Sequence, residues 1–300
     1  MKKFLTRIIL FLVLFTVLTG GVNQFFHRKN YISAFVDKLK MLEAKKNERK
    51  IIILGGSNAG FGLSAQLIQQ HTGIPAINLG HYAGIGFIDW QPILLRNLTP
   101  NDIILFSPEW FFYSKPDLID PPGLNNLISN NVEYGWMLNS PLYIFRGYMP
   151  NLRLDDLLEP VDKLPHVYQC FNEHGDIISH CGQPRLPLKV LNINHENLDI
   201  RRFEACFQFL KTNKTYFLFP PTIDSLFNLN KDYLKSIEKA LIQQHYNVVN
   251  TPEENAYPVT DFYDTMYHLV CTKRDERTLQ IIEILKKNHA FENNPQVDVK

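Results

Sequence analysis

Along this chain apolar positions come in blocks rather than in simple alternation. "KIIIL" (50–54) runs straight into Gly55-Gly56, and "AINLG" (76–80), "DIILFSP" (102–108), "TYFLFPP" (215–221) and "YNVVNTP" (246–252) each close on a glycine or proline. Short apolar runs rich in β-branched and aromatic residues, bounded by turn residues, read as strands covered on both faces. Between them, apolar residues recur at three- and four-residue spacing over Ser64 to His71, Ile88 to Asn97, Arg201 to Thr212, Asn230 to His245 and Glu276 to His289, which reads as helix. Strands alternating with helices predict an α/β fold whose five-stranded sheet is mainly parallel. Residues 113–197 break the pattern. They are rich in Pro, Asn and Asp, and read as an irregular insertion at the C-terminal edge of the sheet, where substrate-shaping loops of α/β proteins gather.

A different pattern opens the chain. Ile8 to Val22 carries no charge and follows Lys2, Lys3 and Arg7, which is the layout of an export signal or a membrane segment. Extended through Phe4 and Phe25-Phe26, it approaches the roughly 20 residues that span a bilayer. "LTGGVNQ" makes a poor cleavage site, so an uncleaved signal anchor is expected, with one transmembrane helix before the main domain. Beyond it, Ile32, Phe35, Val36, Leu39 and Leu42 share one helical face while Lys38, Lys40, Lys45 and Lys46 fall mostly on others. Such a helix lies on anionic headgroups or packs as a stalk on its own domain, and the pattern leaves both open.

Charge sharpens this division. The formal net charge is +1, which argues against a nucleic-acid partner, yet the first fifty residues hold 11 Lys+Arg against 3 Asp+Glu and the rest 20 against 27. Basic residues after the apolar run outnumber those before it, against the positive-inside rule. The main domain is still expected outside the cytoplasm, because long domains cross largely regardless of charge.

The candidate chemistry lies at two distant places. Ser57 follows the first strand inside "GGSNAG", near the start of the next helix, where backbone N–H groups favour negative charge. It reads as a nucleophile, or else Ser57 or Asn58 caps a helix while the glycines make the turn. Two hundred residues on, "VTDFYDTMYHL" sets Asp261, Asp264 and His268 close together. An imidazole held by a carboxylate is what a weak serine hydroxyl needs for its proton. Glu109 stands at the end of the third strand, either as a ligand of substrate or neighbouring side chains, or as a carboxylate in water.

"ILGGSNAGFGLS", "INLGHYAGIG", "DIILFSPEW" and "FYDTMYHL" with the following "RT" resemble, in order and spacing, the blocks of the SGNH or GDSL-like hydrolases. The likeness is to membrane-anchored envelope members such as the D-alanyl transfer protein and the alginate O-acetylation proteins. It implies a flavodoxin-like three-layer sandwich and serine acyltransferase or esterase activity on cell-envelope or exported glycans. Ser57 is then the nucleophile, His268 the base and Asp264 its orienter, with Asp261 the alternative acid. Gly56, Asn58, Gly80, Ala83, Gly84 and Glu109 line the oxyanion site. No cofactor or metal is implied. The implied partners are the membrane, an acyl donor with a glycan or polyol acceptor, and a multispanning membrane acyltransferase. The expected location is the bacterial cytoplasmic membrane, single-pass, with the main domain facing the periplasm or exterior. The resulting plan is a signal anchor at 1–27, an amphipathic basic stalk at 28–49, the SGNH-like domain at 50–290 and a disordered tail at 291–300. Three departures stand out: Glu109 where the family places an Asn donor, a carboxylate one residue further from the His, and a glycine block offset by one. They keep alive the alternative of a catalytically degenerate module that binds glycan or an assembly partner.

Four cysteines complete the inventory: Cys170, Cys181, Cys206 and Cys271. In an exported domain Cys170 and Cys181 are expected to close the hairpin "CFNEHGDIISHC", ahead of two unlinked thiols or a metal site with His166, His174 and His180. The spacing fits no standard zinc pattern. Cys206 reads as a core residue.

Overall fold

A computed structural model describes residues 2–26, 31–117, 167–190, 193, 198–212 and 214–292. In chain order the elements are α1 (Lys2–Phe26), α2 (Phe35–Ala44), β1 (Ile51–Gly55), α3 (Ser57–Gly62), α4 (Ala65–Thr72), β2 (Ala76–Asn78), α5 (Phe87–Asn97) and β3 (Ile103–Ser107). There follow α6 (Ile200–Phe207), β4 (Lys214–Phe217), β5 (Thr222–Ile223), α7 (Asp224–Leu229), α8 (Lys231–Gln243), β6 (Asn247–Val248), β7 (Ala256–Tyr257) and α9 (Cys271–Lys287).

Five strands form one wholly parallel sheet in the order β2-β1-β3-β4-β6, the flavodoxin-like order. Each is one of the five apolar runs of the sequence. The runs are unbroken because both sheet faces are covered: Ile52, Leu54, Ile104 and Phe106 point into one core with α2, α5, α6 and α8, and Ile51, Ile53, Ile103 and Leu105 into the other with α4 and α9. The last two runs pair for less than their length. Pro220-Pro221 ends β4's ladder, and beyond β6 the Asn250 side chain, not a backbone group, receives the Phe219 N–H (2.9 Å). A second, two-stranded parallel sheet, β5-β7, and the short α7 were not readable as periodic segments.

The apolar face of α2 is buried in the domain itself. Phe35, Val36, Leu39 and Leu42 are all in the core, and even Lys38 is buried, donating to the Gly80 carbonyl. Burial draws the Lys38 ammonium down to about 8. The stalk helix is therefore part of the fold's architecture. On α1 the side chains described are those of residues 2–15, 17 and 18, and the large apolar ones are exposed. Among the described residues no helix is long and apolar enough to cross a membrane. Most of the expected insertion, 118–166, and the tail from 293 lie outside the described residues.

Candidate active site

The serine block is built by close backbone approach. β1 ends on Gly55, and a Cβ there would lie 2.4 Å from the Ser107 carbonyl of β3. Gly60 of α3 and Gly80 after β2 pack so tightly that a Cβ on Gly80 would sit 2.3 Å from the Gly60 nitrogen. Only residues without side chains let α3 start at the sheet's C-terminal edge against the β2 loop. Gly56 is the N-cap of α3 and has no side chain of its own to cap that helix. Ser57 is its half-buried first residue, and its hydroxyl makes no hydrogen bond among the described residues. The capping role that sequence allowed therefore goes unused here. Ser64 does cap, accepting the Leu67 N–H for α4 (3.2 Å). The buried Asn58 turns its amide to the Ser107 hydroxyl (3.2 Å).

The histidine block comes to the same edge. Phe262 and Leu269 bridge in antiparallel fashion, and the Thr265 hydroxyl accepts the Tyr267 N–H (3.3 Å), so Asp264 to His268 form a bridged turn, not a helical one. Within it His268 Nδ1 lies 2.7 Å from Asp264 Oδ1, both residues buried. Asp261 turns away to Lys273 (3.5 Å). The His268 ring stacks on Phe61, centroids 3.9 Å apart and planes 6° apart. Phe61 is one helical turn after Ser57 in α3, so Ser57 belongs to the face of α3 that His268 covers.

What holds the two blocks together was only partly legible. The "RT" pair is a staple: Arg277 donates to the Gly62 carbonyl (2.7 Å) and the Phe219 carbonyl (2.8 Å), and the Thr278 hydroxyl accepts the Ser64 N–H (3.0 Å). Residues 167–190, read as irregular, form a wall. The Ile177 N–H donates to the Gly60 carbonyl (3.3 Å), Lys189 bridges to Thr265, and Asp176 accepts the N–H groups of Ala65 (2.6 Å) and Gln66 (3.0 Å) at the start of α4. His180 packs on the Phe61 ring beside His268, and burial with the nearby Arg274 charge pulls its imidazole down to about 3, so it stays neutral.

The expected Cys170–Cys181 disulfide is not formed. Cys181 is bonded to Cys271 at the start of α9, Cα atoms 5.4 Å apart. The reason lies in the hairpin. Its closure is made by backbone bonds from Ile178 and Ser179 to the Cys170 carbonyl and by a Phe171–Ile177 bridge, while the Cys170 side chain, outside any disulfide, is buried with Tyr31, Phe61 and Ile177. Cys181 lies past that closure, facing α9. His180, Cys181 and Cys271 do converge within 4.8 Å, among the described residues, but with the sulfurs joined there are no thiolates for a metal. Of the histidines weighed for metal, His174 is not in this group and His166 lies outside the described residues.

The expected oxyanion side is built around Glu109. Ala83, on a short 3₁₀ turn with Gly84, lies against Gly56, where an added Cβ would be 2.5 Å from the Ala83 Cβ. Glu109, fully buried, receives the Gly56 N–H at Oε2 (3.2 Å) and the Asn58 N–H at Oε1 (3.3 Å). Its carboxyl thus grips the backbone on both sides of Ser57. Burial pushes it up to about 7, against the opposing pull of the backbone N–H bonds. His81 is occupied elsewhere, its ring stacked on Tyr31 with Nε2 2.6 Å from the Tyr31 carbonyl oxygen.

No protein-family model matches the chain, and no curated protein matches it. Among solved structures it is similar to a family two carbohydrate esterase from Clostridium thermocellum in complex with cellohexaose, at 10% identity over 82% of this chain, with a TM-score of 0.35. An active-site mutant of a family two carbohydrate esterase from the same organism, in complex with an oligosaccharide, is similar at 9% identity over 82% of this chain, also with a TM-score of 0.35. The chain spans 66% and 65% of the length of those two structures.

Proposed function

We infer that this protein handles acyl groups through Ser57, as an esterase or acyltransferase acting on cell-envelope or exported glycans. One observation carries the reading: a buried Asp264–His268 pair, bonded at 2.7 Å, stacks on the helix that begins with Ser57. Ser57 Oγ attacks the ester carbonyl and its proton passes to His268. Asp264 holds the imidazole tautomer, and backbone N–H groups at Ser57 and near Ala83–Gly84 receive the oxyanion. Collapse of that adduct expels the alcohol, which takes the proton back. Water or a sugar hydroxyl then takes the acyl group by the reverse steps. Expected for wild type is turnover of an activated acetate ester, with Ser57→Ala lowering kcat by at least about 10³-fold. Equal turnover by both proteins, each shown folded, overturns the reading.

In this reading residues 1–27 anchor the domain to the bacterial cytoplasmic membrane, with the main domain on the periplasmic or outer side. Support comes from the uncharged run of residues 8–22 and from the exposure of every described large apolar side chain of that helix from Phe4 to Leu18. An anchor keeps the site beside membrane-borne donors and a multispanning acyltransferase partner. A periplasm-dependent phosphatase fused after Lys287 is expected to be active, and a stable but inactive fusion contradicts this topology.

A second reading, a degenerate glycan- or partner-binding module, is favoured by Glu109. Its carboxyl binds the N–H groups on both sides of Ser57, and an acid stands where a hydrogen-bond donor is expected.

A further inference from the structure

Glu109 stands where the blocks called for a hydrogen-bond donor, and its surroundings define the form in which it can serve. The carboxyl is bound to the N–H groups of Gly56 and Asn58, so it lies against the backbone on both sides of Ser57. Gly56 has no room for a Cβ, which would fall 2.1 Å from Glu109 Oε1. The side chain is therefore seated against the backbone of the nucleophile turn. The buried titratable groups around it are Tyr31 ahead of α2, Tyr113 after β3 and Tyr267 in the histidine turn, with Tyr233 of α8 behind the last two. All three of the nearer phenols are raised by burial and stay neutral. No cation pairs with Glu109 among the described residues, and its carboxyl is held by backbone N–H groups alone. An ionised carboxylate beside a forming oxyanion puts two like charges in one dry site, which strongly disfavours the intermediate. A neutral carboxyl instead carries an O–H, and this corner already contains an orphaned buried acceptor, Asn58 Oδ1.

Resting on the serine reading of Ser57, we propose that Glu109 is an oxyanion donor working as a neutral carboxylic acid, and that its ionised form closes the oxyanion site. No bond to Glu109 forms or breaks: it donates a hydrogen bond to the oxyanion and keeps its proton, while the serine proton travels to His268. The site is therefore switched off from the alkaline side. Since burial places the carboxyl near 7, Ser57-dependent acylation falls about tenfold per pH unit above neutrality.

Acylation by p-nitrophenyl acetate, followed from pH 6 to pH 9 in wild type, Glu109→Gln and Ser57→Ala, tests this. The amide of Glu109→Gln donates at every pH, so its rate is expected to stay level from pH 7 to 9 while the wild-type rate falls about 50-fold. A Ser57-dependent wild-type rate that does not fall, or a Glu109→Gln profile that falls in parallel with it, overturns the Glu109 proposal and leaves the serine reading standing. Equal rates in wild type and Ser57→Ala remove the serine reading and the proposal with it. In case Glu109→Gln does not fold, ¹³C-glutamate spectra of wild type decide: one carboxyl carbon titrating near pH 7 supports the proposal, and all of them titrating below pH 6 overturns it.

Discussion

Two buried carboxylates bracket β3. Asp102 precedes the strand and Glu109 follows it, and neither is accessible to solvent. Asp102 is saturated: it receives the Lys50 ammonium at 2.8 Å, the Lys50 N–H, and both the N–H and the hydroxyl of Thr99. Lys50 is equally buried, so charge meets charge and the N-terminal edge of the sheet is a closed, structural joint. Glu109 at the other end has only backbone N–H groups, no cation among the described residues, and the nucleophile turn against it. The same residue class at two ends of one strand thus does opposite jobs. A carboxylate with its counter-ion fixes the fold, whereas one without it is, on the proposal above, free to titrate beside the serine.

That contrast predicts which end of β3 governs rate and which governs stability. The largest effect is expected at the C-terminal edge. Asp264→Asn should lower kcat on the order of 10³-fold by offering the imidazole the wrong partner, with little loss of thermal stability. Asp261→Asn, removed from the imidazole by its bond to Lys273, should stay within about threefold of wild type. The reverse ranking on folded proteins with one substrate would assign the orienting role to Asp261. At the N-terminal edge the effect moves to stability. Lys50→Met strands Asp102 without its partner and should cost about 3–5 kcal/mol in denaturant unfolding, leaving the shape of the pH–rate profile unchanged. A change in that profile with normal stability would erase the distinction between the two ends.

Glu109 adds a smaller signature to stability itself. Its carboxyl is raised in the folded chain, so the native state binds the proton more tightly than the unfolded one. Stability then falls as pH rises from about 4.5 to about 7 and is level above that. The size is on the order of 3 kcal/mol. Urea unfolding of wild type and Glu109→Gln across this range should show the slope only in wild type, and an identical slope in both assigns it to another group.

How much of this was readable beforehand depended on how local the cause was. The five strands were legible because parallel strands buried on both faces leave unbroken apolar runs. Asp264 and His268 were legible as a spacing, although the turn that joins them is bridged rather than helical. The helix α3 was not, since "SNAGFG" has no apolar period and is held by packing of Gly60 against Gly80. Cysteine pairing failed for a topological reason: Cys181 meets Cys271 across 90 residues, which depends on where the insertion returns to the sheet. Arg277 was legible only as part of the RT pair that follows the histidine block, and the fold shows its guanidinium buried among the carbonyls that align the two blocks.

The central claim is that the C-terminal edge of the sheet, where β1 hands over to α3, carries serine chemistry. Its most direct test is covalent capture at pH 6, where Glu109 holds its proton, using a fluorophosphonate probe with peptide mapping by mass spectrometry. One adduct per chain on Ser57, lost on denaturation and in His268→Ala, is the result expected. Folded wild type left unmodified at Ser57, or an adduct on another residue with Ser57 untouched, would contradict it.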